Sequence, residues 1–141
     1  MPITSPETPC IGICSTIYGD EICRGCKRHF RDIIDWNHFA DPHKQQILSQ
    51  LEQLTVTVMQ PLCADLNRDR LEAALKHHRI RYRQDHDAHC FAYQLLRALA
   101  GTNASLTDCG ITLNLPYQTQ SIAALYTEVD TQLQALATQT F

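Results

Sequence analysis

No stretch of this 141-residue chain approaches the roughly 20 consecutive apolar residues of a membrane-spanning helix, so no span is expected. The opening Met1-Pro2-Ile3-Thr4-Ser5-Pro6 carries neither Lys nor Arg and no apolar run, which sets the expectation of no signal peptide and a cytoplasmic address. Repeats and low-complexity tracts are missing. So are a phosphate-cradling glycine loop, a serine nucleophile elbow and a paired-carboxylate hydrolase site, and the expectation is a binding protein rather than an enzyme. Basic residues vanish after Arg97, where Asp108, Glu128 and Asp130 are the only charges left.

What is present suits one globular domain. Hydrophobic residues make up 44% and charged residues 19%, enough apolar surface to bury a core and too little charge for a disordered chain. The net charge of −3 conceals two basic clusters. Arg24, Lys27, Arg28 and Arg31 stand in one run without an acid. The second, from Arg68 to Arg83, sets six basic residues against Asp69 and Glu72. A mildly acidic chain can still present a basic patch.

Seven cysteines are spread unevenly, and four of them fall in Cys10-x3-Cys14-x8-Cys23-x2-Cys26. Two close pairs joined by a short loop can meet at one point with little chain-closure entropy. Four thiolates suit tetrahedral zinc and also an iron–sulfur cluster. Either centre leaves a net −2, which Arg24, Lys27, Arg28 and Arg31 would offset, so charge does not name the metal. Buried structural thiols and a redox-active Cys-x-x-Cys pair are the rival readings; the paired spacing favours ligation, with zinc preferred over the cluster. Gly12, Gly19 and Gly25 supply turns, and a helix is expected from about Lys27 with its first N–H groups aimed at the sulfurs.

The segment Pro9-Cys10-Ile11-Gly12-Ile13-Cys14, resuming at Cys23-Arg24-Gly25-Cys26-Lys27-Arg28 and closing with Ile33-Ile34-Asp35-Trp36, resembles the YdhL-like bacterial family. This is a domain of unknown function often labelled a predicted iron–sulfur protein. The resemblance covers about residues 9–52 and implies that Cys10, Cys14, Cys23 and Cys26 are ligands. His29 stands where the family usually has threonine, and Asp32 where it usually has glutamate. Nothing the resemblance implies reaches beyond about Leu54.

Helical spacing dominates the remainder. The first helix should carry Phe30, Ile33 and Ile34 and stop before Asp41-Pro42. Ile47, Leu48, Leu51, Leu54 and Val58 mark the second, with Pro61 beyond its end. Asn67 is read as the N-cap of the third, and Asp85 as that of the fourth, whose stripe runs from Ala88 to Leu99 before Gly101. Ile111–Leu115 reads as an extended segment without a partner strand, and a last helix follows from about Ser121. The expected fold is mainly α: a cysteine-rich metal-binding module over residues 1–40 leading into an α-helical domain over 41–141.

Two further features bear on binding. Trp36 and Phe39 follow the cysteine loop and are expected to shield it from water rather than to meet a partner. Lys76, Arg79, Arg81, Tyr82 and Arg83, with Arg24, Lys27, Arg28 and Arg31, could hold an anionic partner, nucleic acid or protein, if folding placed both clusters on one face. The rival reading is a solvated helix end. His86 and Cys90 are expected on the exposed side of the fourth helix, and Cys63, Cys90 and Cys109 as structural thiols.

Overall fold

The computed structural model describes residues 2–3 and 6–141. The extended arm expected over residues 1–9 therefore falls partly outside the described residues. Five α-helices, α1 (Phe30–Ile34), α2 (Asp41–Met59), α3 (Arg68–His77), α4 (Ala88–Leu99) and α5 (Ile122–Thr140), dominate the described part. Four short strands, β1 (Pro2–Ile3), β2 (Cys63–Leu66), β3 (Tyr82–Arg83) and β4 (Ile111–Leu113), complete it. The fold is mainly α, as composition and periodicity predict. No helix among the described residues is long and apolar enough to cross a membrane.

The apolar stripe of α4 explains its central place. Phe91, Ala92, Leu95, Leu96 and Leu99 are all buried, and α4 packs against α2, α3 and α5 at once. Leu54, Val58 and Met59 approach it from α2, Leu71 and Leu75 from α3, and Leu125, Val129 and Leu133 from α5. Caps agree with residue chemistry. Asn67 accepts from the Arg70 N–H, and Ser121 from the Ala124 N–H. The cap of α4 is Asp87, not Asp85, because it is the Asp87 carboxylate that reaches the His89 N–H at 2.9 Å.

Two expectations are corrected here. Ile111–Leu113 does have a partner: β4 pairs antiparallel with β2, with Leu66 opposite Ile111 and Cys63 opposite Leu113. Cys90 is buried rather than exposed, because α4 is enclosed on three sides, and its Sγ lies 3.9 Å from the Glu52 carbonyl oxygen of α2. Burial lifts its thiol far above the usual cysteine range. Burial likewise lifts Cys63 to about 11, in keeping with the structural role expected of it.

Candidate metal centre and its surroundings

Local backbone geometry decides what the cysteine loop looks like. The Cys23 N–H donates to the Arg28 carbonyl, the Lys27 N–H to the Cys23 carbonyl, and Ile22 pairs with His29 in an antiparallel bridge. Residues 22–29 thus form a tight hairpin, closed by Lys27 in the left-handed region at φ 67°. That conformation cannot continue into a helix. For this reason α1 starts at Phe30, capped by His29, and not near Lys27.

The N–H groups around sulfur come from this hairpin and from the passing chain, in place of the helix start expected. Burial raises the Cys23 thiol, yet backbone N–H groups of Cys26, Ser15 and Gly25, with the Cys26 side chain, outweigh it and hold the thiol below its ordinary value. Cys26 goes the other way. Burial lifts it, and the adjacent Cys23 adds to that, against the Arg28 guanidinium whose Nε lies 3.2 Å from its Sγ.

The first cysteine pair lies across this hairpin. The Ile13 carbonyl oxygen is 3.3 Å from Cys23 Sγ, and the Arg24 N–H donates to the Ser15 hydroxyl at 2.8 Å. Cys14 lies between those two residues in the chain. Gly25 makes the crossing feasible, since a Cβ there would stand 2.6 Å from the Ile13 oxygen. Cys14 Sγ is 3.1 Å from the Thr16 hydroxyl, and Cys10 Sγ accepts from the Gly12 N–H at 3.4 Å. Of the four thiols, Cys23 and Cys26 lie against each other. Among the described residues no three His, Cys, Asp or Glu side chains are gathered as a ligand set.

The loop is fastened to the helices by side chains of its own basic cluster. Lys27 is buried, and its Nζ pairs with Asp130 of α5 at 2.8 Å while donating to the Arg24 carbonyl. Gln134 of α5 donates to the Ile22 carbonyl at 3.0 Å. Arg28, also buried, bonds Cys26 and the Thr8 hydroxyl and lies 4.9 Å over the Trp36 ring. Trp36 is itself buried against Ile47 and Leu48, with Phe39 packed partly buried beside it, so Trp36 backs the loop through Arg28.

These placements divide the anion-binding set read from the sequence. Arg24, Arg31, Lys76, Arg79 and Arg81 are exposed, Arg24 paired with Asp20 and Arg81 with Glu7. Lys27 and Arg28 are spent internally. Tyr82 is 2% exposed and donates its hydroxyl to Glu72 at 2.8 Å, so it offers no face for a base to stack upon. Arg83 also turns inward. Of the first cluster only Lys27 joins Arg81, Tyr82 and Arg83 of the second, lining one cavity together with Cys10, Cys26 and His86. Sequence reading placed His86 on an exposed helix face; because α4 begins only at Ala88, His86 lies before the helix and lines the cavity instead.

A family model described as a protein of unknown function (DUF1289) matches residues 8–55. The matched segment holds the cysteine loop, α1, the Trp36 turn and most of α2, and so runs past the boundary at residue 40 expected from the sequence. No curated protein and no solved structure matches the chain.

Proposed function

We propose that this is a small cytoplasmic metal-binding protein in which Cys10, Cys14, Cys23 and Cys26 hold one zinc ion as a structural site, presenting the loop to a protein partner. The observation that carries the metal reading is the environment of Cys23. Three backbone N–H groups, from Ser15, Gly25 and Cys26, favour its thiolate, the form that ligates metal. The Cys26 side chain bonds to it, and residues 13–15, the segment that carries Cys14, cross over the same hairpin. When bound, zinc would cross-link residues 10–14 to the hairpin through four sulfurs. Arg28, whose Nε lies 3.2 Å from Cys26 Sγ, offsets part of the anionic charge of such a centre.

A protein partner is favoured over nucleic acid because the loop's outer surface is apolar. Ile17 and Tyr18 are 73% and 86% exposed, with Ile13 and Ile34 also in solvent, whereas Tyr82 and Arg83 point inward. The test of the metal reading is anaerobic purification with visible spectroscopy and analysis of zinc, iron and sulfide. One zinc per chain in a colourless protein is expected. A brown protein containing iron and sulfide transfers the same cysteines to an iron–sulfur cluster and an electron-transfer or redox-sensing role. In Cys23→Ser, loss of metal and a lowered melting temperature are expected; unchanged metal content and melting overturn the ligand assignment.

A further inference from the structure

A cavity of about 450 Å³ lies between the cysteine loop, α2, α4 and the chain around β3, within the size range of small-molecule sites. Its apolar wall includes Leu48, Leu51, Phe91 and Leu133. Its charged side chains are Lys27, Arg81, Arg83 and Arg97 against one acid, Glu52. Most of these have partners. Lys27 pairs with Asp130, Arg81 with Glu7, Arg97 donates to the Gln94 side-chain oxygen, and Glu52 accepts the Asp87 N–H at 2.7 Å.

Arg83 differs. Its side chain is 9% exposed, and Nε and Nη2 are both buried without a hydrogen-bond partner. The nearest carboxylate oxygen, on Asp85, is 3.8 Å from Nε, beyond hydrogen-bond reach. Nε and Nη2 form one edge of the guanidinium, the fork that matches the two oxygens of a carboxylate. An arginine does not shed its proton to escape burial, so this edge calls for an anion. His86 lines the same cavity, and its Nε2 is likewise buried and without a partner.

We propose that this cavity binds an amphipathic monocarboxylate, its carboxylate on the Nε–Nη2 edge of Arg83 and His86 Nε2, its hydrocarbon against Leu48, Leu51 and Phe91. A single free guanidinium edge matches one delocalised negative charge. A dianionic phosphate would bring a second charge into a cavity whose wall already holds Glu52. Cys10 and Cys26 line the same cavity, but the carboxylate contacts, Arg83 and His86, lie outside the cysteine loop, and metal content is measured separately, so failure of one reading is distinguishable from failure of the other.

The test is titration of the full-length protein with hexanoate, followed by calorimetry and by the arginine Nε–Hε signals in a nitrogen-15 spectrum. One saturable site and a shifted Arg83 Nε–Hε signal are expected. Acetate, which lacks the hydrocarbon, and 1-hexanol, which lacks the charge, should each bind about tenfold or more weakly. Arg83→Gln should lose about tenfold or more in hexanoate affinity, and Arg83→Lys, which keeps the charge without the fork, should also weaken it. Absence of saturable hexanoate binding overturns the proposal. So does a folded Arg83→Gln that binds hexanoate as the parent does, or 1-hexanol binding as tightly as hexanoate. Hexyl phosphate binding more tightly than hexanoate overturns the assignment to a carboxylate. Should Arg83→Gln fail to fold, the comparison of hexanoate with 1-hexanol on the parent protein decides the matter.

Discussion

Asp130 receives two groups on one carboxylate oxygen, Oδ1: the Lys27 ammonium at 2.8 Å and the Tyr93 hydroxyl at 3.0 Å. The Lys27 side chain is 4% exposed and that of Asp130 30%, so the lysine depends on this carboxylate for compensation of its buried charge. Asp130→Asn should destabilise the fold by about 2–3 kcal/mol, at or just under the low end for a fully buried pair because Asp130 retains some contact with water. Denaturant titration measures the loss, and adding Lys27→Met to that variant should recover part of it. An unchanged midpoint in Asp130→Asn would show that Lys27 finds its compensation elsewhere. At Gly25 the constraint is steric. A methyl group 2.6 Å from the Ile13 oxygen must push residues 13–15 away from the hairpin. Gly25→Ala should therefore lower both melting temperature and metal content, while a fully loaded, equally stable variant would argue that the crossing is not needed for binding.

At the scale of elements, Asn67 joins α3 to the β2–β4 ribbon, with Arg70 adding a bond to the Asp108 carbonyl. Asn67 caps α3 through its side chain, and its backbone N–H donates to the Gly110 carbonyl at 2.9 Å beside β4. Asn67→Ala removes only the side-chain half and should cost about 1 kcal/mol, read as a lowered denaturant midpoint with an unchanged slope. Asn67 is also an example of what sequence reveals. Its cap, the start of α5 at about Ser121 and the apolar spacing of α2, α4 and α5 depend on neighbours within a turn or two, and all were legible. The ribbon was not, because β2 and β4 are short and about fifty residues apart, so neither strand's own pattern indicates the other. The start of α1 was missed for a different reason: nothing local marks Lys27 for the left-handed conformation that its ion pair to α5 accompanies. The cysteine spacing announced the candidate metal centre. The inward turn of Tyr82, Arg83, Lys27 and Arg28 could not be read, since it follows from which elements close over them.

For the molecule as a whole, α2, β3 and the turn before α4 converge on His86, and acid stability should depend on that convergence. Burial pushes the imidazole below its ordinary value of 6.5, aided by Arg83 and opposed by Glu52 and Asp85, and burial prevails. The unfolded chain, with an ordinary histidine there, binds a proton more readily than the folded one. The resulting stability is present above pH 6.5 and is lost as pH falls through and below that value. Two carboxylates occupy a separate window. Burial pushes Asp87 up, but its hydrogen bonds to His89 prevail and hold it below 3.8; the Tyr82 hydroxyl holds Glu72 below 4.5. Both contribute stability that persists until the pH drops under those values. Urea midpoints measured at pH 7.5, 6.5 and 5.5 should therefore fall in the parent protein before either carboxylate titrates. In His86→Gln, which keeps a polar side chain without a titrating group, the decline over that interval should be distinctly shallower. An identical decline in both proteins would assign the acid sensitivity to other histidines and remove His86 as its source.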